Sequence, residues 1–224
     1  MIVLAIDCSA ARCAACVYDA ARGVELGREV RELGKGHAEH LIAVIDTALR
    51  RAGRTYKDID RIAVSVGPGS FTGLRVGVAT ARGLALALKV PALGVSNLEA
   101  VAKEARGRHR GRPVLAAFAS AGGAVQAALY DPLGEPLGDP AVMTVDQAVR
   151  LAAGHEAVIA GSAAAAIAAS APALRLDGDA VTADIGTYAR LAAGREPGGK
   201  PRPLYLREPD AKPQAGFVVP RTAS

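Results

Sequence analysis

A glycine-rich segment, SVGPGSFTGLRVG at residues 65–77, has the composition of a ligand-binding loop. It does not match the phosphate-binding P-loop, G-x-x-x-x-G-K-[ST], because its spacing differs and it contains no lysine. It also departs from the dinucleotide-binding fingerprint, G-x-G-x-x-G, since its first three glycines are spaced G-x-G-x-x-x-G. A nucleophile elbow needs glycine two residues before and after its serine, where Ser70 has Pro68 and Thr72. The segment therefore matches no template that names a reaction.

Two compatible interpretations of this segment remain, because it lies between a strand-like and a helix-like run. In the first, Ser70 or Thr72 caps a helix whose free N–H groups carry partial positive charge and hold an anion without any lysine. In the second, Gly67 and Gly69 permit a sharp strand-to-helix corner, and later glycines let the helix lie close to its sheet. The second interpretation needs no ligand.

Asp7 ends the first predicted strand, IVLAID, and Ser9 follows it. The carboxyl end of such a strand is where an α/β sheet presents a metal-linked or catalytic carboxylate. In the second half of the chain the corresponding strand end reads AAFASAGG, with Ala119 and Ser120 where a second carboxylate would stand. No acid–base pair can be assembled from that strand. The candidate anion or nucleotide site comprises Asp7, Ser9, Gly67, Gly69, Ser70 and Thr72.

Two histidines, His37 and His40, lie three positions apart on a predicted helix and are close enough in angle to share a metal. Glu39 points elsewhere on that helix, and no third ligand is evident in the sequence. We therefore favour helix-end or surface histidines over a metal site.

The three cysteines, Cys8, Cys13 and Cys16, are too few for a disulfide framework. Cys13 and Cys16 have C-x-x-C spacing, but on a strand an offset of three places side chains on opposite faces. We expect small buried residues in a reducing cytoplasm. The longest uncharged window, residues 157–174, is interrupted by glycine and proline, so we also expect no membrane segment.

The chain is mildly basic, with a formal net charge of +5. Its densest basic stretch, RGRHRGRP at residues 106–113, can reach about four phosphates, whereas self-sufficient nucleic-acid binders make about 6–10 contacts. The alternative is a solvated loop between two lobes. The candidate tRNA contacts are Arg106, Arg108, Arg110 and Arg112.

The predicted elements follow the order β-β-β-α twice, although no repeat is visible in the residues themselves. This order predicts one lobe at 1–105 and a second at 113–196, joined by the basic loop at 106–112. A further helix is expected at 181–194. The proline-rich segment 197–224 should be partly extended or disordered, apart from an edge strand formed by its PLYLRE sequence.

Residues 37–51 carry apolar side chains at helical spacing, over about 160° of the helix circumference. A single packing contact needs a stripe of only roughly 100°, so one edge of this face is predicted to meet a partner. The candidate partner interface consists of His37, Glu39, Leu41, Val44, Ile45, Ala48 and Leu49.

Several segments together resemble one known family. They are VLAIDCSA, the start of the helix at His37 and Glu39, GPGSFTGLRVG, GLALAL, GVSNLEA and PLYLRE. This combination is similar to the bacterial TsaB proteins, which are subunits of the machinery that makes threonylcarbamoyladenosine in tRNA. The resemblance covers nearly all of the N-terminal half and reappears near the C-terminal end.

The resemblance implies an α/β fold with two lobes like those of actin and Hsp70, that is, a ribonuclease H-like fold with a mixed sheet in each lobe. It also implies a non-catalytic subunit that binds and activates a catalytic TsaD-like paralogue acting on ANN-decoding tRNAs, and that recruits a TsaE-like ATPase. No cofactor is implied for the chain itself. The assembly uses ATP, and threonylcarbamoyl-AMP is the substrate of the paralogue. The resemblance implies that tRNA contacts the complex rather than this chain directly. A homodimer formed through the same helix face, at residues 37–51, is an alternative to the heterodimer.

Departures from the family pattern occur in the second lobe. Many relatives carry Asp-Ala-Arg and Glu-Val-Tyr where this chain has Ala119-Ser120-Ala121 and Ala124-Val125-Gln126. The departures favour a degenerate site, hence a pseudoenzyme. The rival hypotheses are an actin-like ATP-dependent phosphotransferase or glycoprotease-type hydrolase that acts alone through Asp7, and an autonomous tRNA-binding module.

Overall fold

The structure is a computed structural model and describes residues 1–34 and 36–206. Within that part of the chain it contains two five-stranded sheets. The strands are β1 (Ile2–Asp7), β2 (Arg12–Asp19), β3 (Val24–Glu32), β4 (Arg61–Ser65), β5 (Ala92–Val95), β6 (Val114–Ala119), β7 (Val125–Tyr130), β8 (Ala141–Met143), β9 (Val158–Ala160) and β10 (Leu176–Gly178). The helices are α1 (His37–Arg51), α2 (Phe71–Leu88), α3 (Asn97–Arg108), α4 (Val145–Gly154), α5 (Ala164–Ser170) and α6 (Ile185–Ala193).

The first sheet has the strand order β3-β2-β1-β4-β5. Its first three strands follow one another through short turns and therefore pair antiparallel. β4 and β5 run parallel to β1, because the intervening helices α1 and α2 carry the chain back to the other end of the sheet. As a result, β1 occupies the centre of the sheet, and its residues from Val3 to Asp7 are all buried.

The second sheet has the order β10-β9-β6-β7-β8, which is the same arrangement built from the second set of strands. Here β6 is central, antiparallel to β7 and parallel to β9. A β-β-β-α-β-α unit that occurs twice and forms two mixed sheets is the ribonuclease H-like topology of actin and Hsp70. The predicted two-lobed α/β fold is confirmed.

The last described helix, α6, returns to the first lobe. Tyr188 and Ala192 of α6 pack in the same apolar cluster as Val3 and Ala5 of β1. Helix α3 and the central strand of the second sheet also contribute to this cluster, which therefore fills the space between the two sheets. The predicted boundary of the second lobe at residue 196 needs correction, because the chain rejoins the first lobe before α6 begins.

Two predicted elements near the end differ from the observed ones. The helix expected at 181–194 begins only at Ile185, because the side chain of Asp184 accepts a hydrogen bond from the backbone N–H of Gly186 and caps it. No strand forms at 203–206, although the backbone N–H of Leu204 donates to the carbonyl of Val66. The remainder of PLYLRE and of the proline-rich segment, residues 207–224, lies outside the described residues.

Candidate functional site

Asp7 is the buried centre of a polar cluster at the carboxyl end of β1, where its side chain is only 1% exposed. Its Oδ1 accepts hydrogen bonds from the backbone N–H of Ser9 at 2.9 Å and from the hydroxyl of Ser9 at 2.6 Å. The hydroxyl of Ser65, at the end of β4, donates to the same oxygen at 2.5 Å. Oδ2 accepts from the hydroxyl of Thr182 at 2.8 Å. Both carboxylate oxygens are therefore used within the chain.

These groups belong to a ring of polar contacts that includes α3 and α6. The Thr182 hydroxyl lies 2.7 Å from the hydroxyl of Tyr188, which donates to Oδ1 of Asn97 at 2.9 Å. Nδ2 of Asn97 in turn donates to the Ser9 hydroxyl at 2.7 Å. Burial, together with the negative charge of Asp7, raises the pKa of Tyr188 well above its ordinary value, so its hydroxyl stays protonated and can donate. We call Asp7, Ser9, Asn97, Thr182 and Tyr188 the Asp7 ring.

The Asp7 ring does not fit the nucleotide and metal chemistry that the actin-like fold implies. A catalytic or metal-binding carboxylate needs an oxygen open to its ligand, whereas Asp7 and Ser9 are both almost fully buried and both oxygens of Asp7 already accept hydrogen bonds. The facing strand end of the second lobe supplies Ala119 and Ser120, neither of which can act as a general acid or base at neutral pH. Asp7 therefore stabilises the fold, and no catalytic step can be derived from it.

The glycine-rich segment forms a corner that packs directly on the end of β1. A Cβ on Gly69 would overlap the carbonyl oxygen of Ser9, and a Cβ on Gly73 would overlap that of Cys8. Gly67 has φ +103°, a conformation that favours glycine, and its carbonyl accepts from the backbone N–H of Asn97. These contacts support the interpretation of the segment as a strand-to-helix corner, and leave no room for a phosphate between loop and strand.

The hydroxyl residues of the segment have local roles. Ser70 caps α2, since its hydroxyl accepts from the backbone N–H of Gly73 at 3.2 Å, and its own N–H donates to the carbonyl of Ser9. Thr72 lies exposed in the first turn of α2. Of the predicted anion-site residues, Asp7 and Ser9 are thus buried in the ring, while Gly67, Gly69 and Ser70 build the corner.

Sequence reasoning missed four of the residues that surround Asp7. Asn97 stands in GVSNLEA, one of the segments that carried the family resemblance, and so had a signal that could have been used. Ser65 ends a strand next to β1, and its position follows once the sheet order is known. Thr182 and Tyr188 gave no signal, because their contact with Asp7 depends on the return of the chain to the first lobe.

The two histidines of α1 have different surroundings. His37 is buried, and its Nε2 lies 2.9 Å from the carbonyl oxygen of Ala10. His40 is partly exposed on the next turn. Among residues 1–34 and 36–206, no group of three or more His, Cys, Asp or Glu side chains could hold a metal ion.

The cysteines are buried, as predicted, and Cys13 and Cys16 pack in different apolar clusters on opposite faces of β2. One contact was not predicted: the Sγ atoms of Cys8 and Cys13 lie 3.7 Å apart. The hydrogen bond from Cys8 lowers the pKa of Cys13 and raises that of Cys8.

The predicted partner face of α1 needs correction. Glu39 is exposed, but the other six residues are buried in the first lobe's own core, where they contact β2, β3 and α2. The apolar face is wide because α1 packs against both the sheet and a neighbouring helix. The buried residues are His37, Leu41, Val44, Ile45, Ala48 and Leu49.

Helix α2 carries exposed apolar side chains of its own, Phe71 and Leu86. This helix is long and apolar enough to span a membrane by length and composition alone, yet only 28% of it is buried. Five of its exposed residues recur at steps of three or four and form one stripe along the helix. This stripe, which we call the α2 surface, consists of Phe71, Arg75, Ala79, Arg82 and Leu86.

An aromatic and arginine cluster marks one end of the α2 surface. The guanidinium of Arg75 lies 3.8 Å from the ring centroid of Phe71, and its Nε donates to the hydroxyl of Tyr205 at 3.0 Å. The two rings are 5.4 Å apart. At the other end, Leu86 is 82% exposed beside an apolar groove of ≈ 460 Å³. Exposed aromatic and arginine side chains next to apolar grooves are typical of protein interfaces.

The four predicted tRNA-contacting arginines separate into two pairs. Arg106 donates to the carbonyls of Pro132 and Leu133, and Arg108 makes two bonds to Asp177, at 2.7 and 2.6 Å. The guanidinium groups of Arg110 and Arg112 contact no partner among the described residues, and line a polar groove of ≈ 540 Å³. Only the second pair is free to meet an external phosphate.

Comparisons with known proteins agree with this geometry. The family model for tRNA N6-adenosine threonylcarbamoyltransferase, TsaD, matches residues 31–189. A TsaB protein of Buchnera aphidicola is 34% identical over 52% of this chain and 54% of its own length. An uncharacterized protein of Mycobacterium tuberculosis is 34% identical over 95% of both chains. The crystal structure of YeaZ from Pseudomonas aeruginosa has a TM-score of 0.72 at 27% identity, covering 85% of this chain and 90% of that one.

Fold and site together define a two-lobed protein of the actin-like ATPase fold in which the central carboxylate is closed by the chain's own side chains. The match spans about half the length of the TsaB relative from Buchnera. The chain belongs to the TsaD family and, within it, to the TsaB/YeaZ group, as the resemblance in its sequence indicated.

Proposed function

We propose that this chain is a non-catalytic subunit that binds and activates a TsaD-like catalytic paralogue during threonylcarbamoyladenosine modification of ANN-decoding tRNAs. Membership of the TsaD family and the likeness to TsaB proteins support the pathway. The observation that carries the non-catalytic role is the Asp7 ring, which uses both oxygens of the central carboxylate. The facing strand end carries no carboxylate to replace it.

The α2 surface is the docking site that best fits this role. It presents a stripe that includes Phe71 and Leu86, which are 40% and 82% exposed. The occupant that we assign is the catalytic paralogue, because a protein of the same family carries an equivalent lobe and can pair its own α2 with this one. Arg75 and Arg82 on the stripe favour a partner with acidic residues at its rim.

The remaining members of the assembly follow from the same proposal. A TsaE-like ATPase supplies the ATP-dependent step, threonylcarbamoyl-AMP is the substrate of the paralogue, and the chain needs no cofactor of its own. The tRNA meets the complex mainly through the paralogue, in the cytoplasm. Arg110 and Arg112 can add at most a weak, salt-sensitive contact, because two arginines are far fewer than the roughly 6–10 phosphate contacts of an independent binder.

Reconstitution tests the proposal. The catalytic paralogue and the ATPase are assayed for modified tRNA with and without this chain, and we expect the modification to depend on it. Equal activity without the chain would overturn the activating role. Hydrolysis of ATP by the isolated chain that disappears in Asp7→Asn would overturn the non-catalytic role and favour the enzyme alternative.

A charge on the α2 surface tests the docking site. Leu86→Glu should weaken binding of the paralogue at least about tenfold, because a charged side chain would be buried in the interface without a partner. Val142→Glu is the matched control, since Val142 is a 40% exposed apolar residue on the second lobe. Binding is measured by calorimetry. Equal affinities of the two variants would place the interface elsewhere.

A further inference from the structure

A cleft of ≈ 480 Å³ lies between α3, the end of α6 and the loop that joins β7 to β8. It is distinct from both the Asp7 ring and the α2 surface. Its volume is within the range of about 300–1,000 Å³ that is usual for small-molecule sites. Asp131 stiffens the loop by accepting three backbone N–H bonds, from Leu133, Gly134 and Glu135. One wall of the cleft is therefore preformed.

Tyr130 lines the cleft and is only 6% exposed. Its hydroxyl makes no hydrogen bond to any residue in the part of the chain that the structure describes. Burial raises the pKa of Tyr130 to about 12, so the hydroxyl remains a donor at neutral pH. A tyrosine hydroxyl at the surface of a cleft can hydrogen-bond to water or to a ligand. This one is available to a bound molecule.

Charged side chains of both signs line the same cleft. Arg195 is already paired with Glu99, and Arg106 with loop carbonyls. Lys103 on α3 has no ion-pair partner among the described residues. Glu135 and Asp139 on the opposite wall make no ion pair there either. The cleft thus offers one free cation on one side and two free carboxylates on the other.

We propose that this cleft binds a small zwitterion of the α-amino-acid type, with the ligand carboxylate at Lys103, its ammonium at Glu135 and Asp139, and a hydrogen bond from Tyr130. A nucleotide or another polyanion is disfavoured because it would meet two carboxylates and one free cation. A simple cation would leave Lys103 unpaired, and the positive charge of Lys103 would repel it. Leu133 and Leu191 line the same cleft and provide apolar contact for the ligand's side chain.

The test is a calorimetric titration of the full chain with each common L-α-amino acid. We expect saturable binding of at least one of them with a Kd below about 1 mM. Its amide, which lacks the carboxylate, and its N-acetyl form, which lacks the ammonium, should each bind at least about tenfold more weakly. Absence of saturable binding by every amino acid, or equal binding of the amide and N-acetyl forms, would overturn the proposal.

Variants locate the binding. Tyr130→Phe should weaken it about three- to tenfold, the usual effect of one lost hydrogen bond, and Lys103→Met at least as much. Matched controls outside the cleft are Tyr56→Phe, which removes a hydroxyl bonded to Asp46, and Lys57→Met, which removes an exposed cation. Circular dichroism verifies folding. If cleft variants and controls bind alike, the site is elsewhere and the proposal fails.

Discussion

At the scale of single residues, Asp7 shows that position along a strand and chemical role are separate properties. Its place at the carboxyl end of β1 predicts a carboxylate at the edge where an α/β sheet binds its ligand. Whether a ligand can reach that carboxylate depends on residues far along the chain. Here Thr182 and Tyr188 cover it. A single sequence shows the first property and not the second.

The first residue-level prediction concerns stability. Asp7→Ala should lower the free energy of unfolding by about 3 kcal/mol, because it leaves the buried donors of Ser9, Ser65 and Thr182 without an acceptor. Urea unfolding at 25 °C measures the effect. Asp46→Ala, which removes an exposed carboxylate with one bond to Tyr56, should cost less than about 1 kcal/mol. Similar losses in both variants would show that the Asp7 ring contributes little to stability.

At the scale of secondary-structure elements, apolar periodicity predicts most helices and strands closely. The helix at 37–51 has the bounds that its apolar spacing predicts. Periodicity also shows that one face of α1 is apolar, but it cannot show whether the chain itself covers that face. β2, β3 and α2 do cover it, and for this reason we propose the exposed surface of α2 as the docking site instead.

The strand-to-helix corner gives the second stability prediction. Gly73→Ala should destabilise the protein by about 2 kcal/mol or more, because the new Cβ would overlap the carbonyl oxygen of Cys8. Gly77→Ala, one turn later, meets Val64 only at ordinary contact distance, 3.6 Å. There alanine should be neutral or should stabilise α2 by up to about 1 kcal/mol. Thermal unfolding compares the two, and equal effects would contradict close packing at Gly73.

At the scale of the whole molecule, the twofold β-β-β-α pattern predicts two similar lobes, and the sheet orders agree. The place where the chain leaves the second lobe was not predictable. Residues 181–184 contain no helix breaker such as glycine or proline, so the sequence predicts that the helix includes them. The observed helix starts later because Thr182 is held by Asp7 and Asp184 forms the cap.

A prediction on pH dependence concerns the contact between α3 and the second sheet. The two bonds from Arg108 hold the pKa of Asp177 below its ordinary value. A lowered pKa in the folded state means that the charged carboxylate stabilises the fold above the unfolded-state pKa of about 3.9, and that this contribution is lost as the pH falls through the lower, folded-state value.

Asp177→Asn should therefore cost about 1 kcal/mol at pH 7, a modest amount because the Arg108 side chain is 56% exposed. The difference between the variant and the natural protein should shrink as the pH falls below about 4. Urea unfolding at a series of pH values measures this trend. A difference that stays constant down to pH 3, about one unit below the ordinary carboxyl value, would contradict it.

The return of the chain to the first lobe has a mechanical consequence. The lobes are joined by two segments, one after α3 and one before α6, so the molecule is doubly tethered. A cut in one tether leaves the halves connected through the other and through the packing of α6 on the first sheet. Opening the lobes would require both tethers to turn together and would pull the Thr182 hydroxyl from Asp7. The second connection therefore couples any separation of the lobes to the loss of a buried hydrogen bond of Asp7.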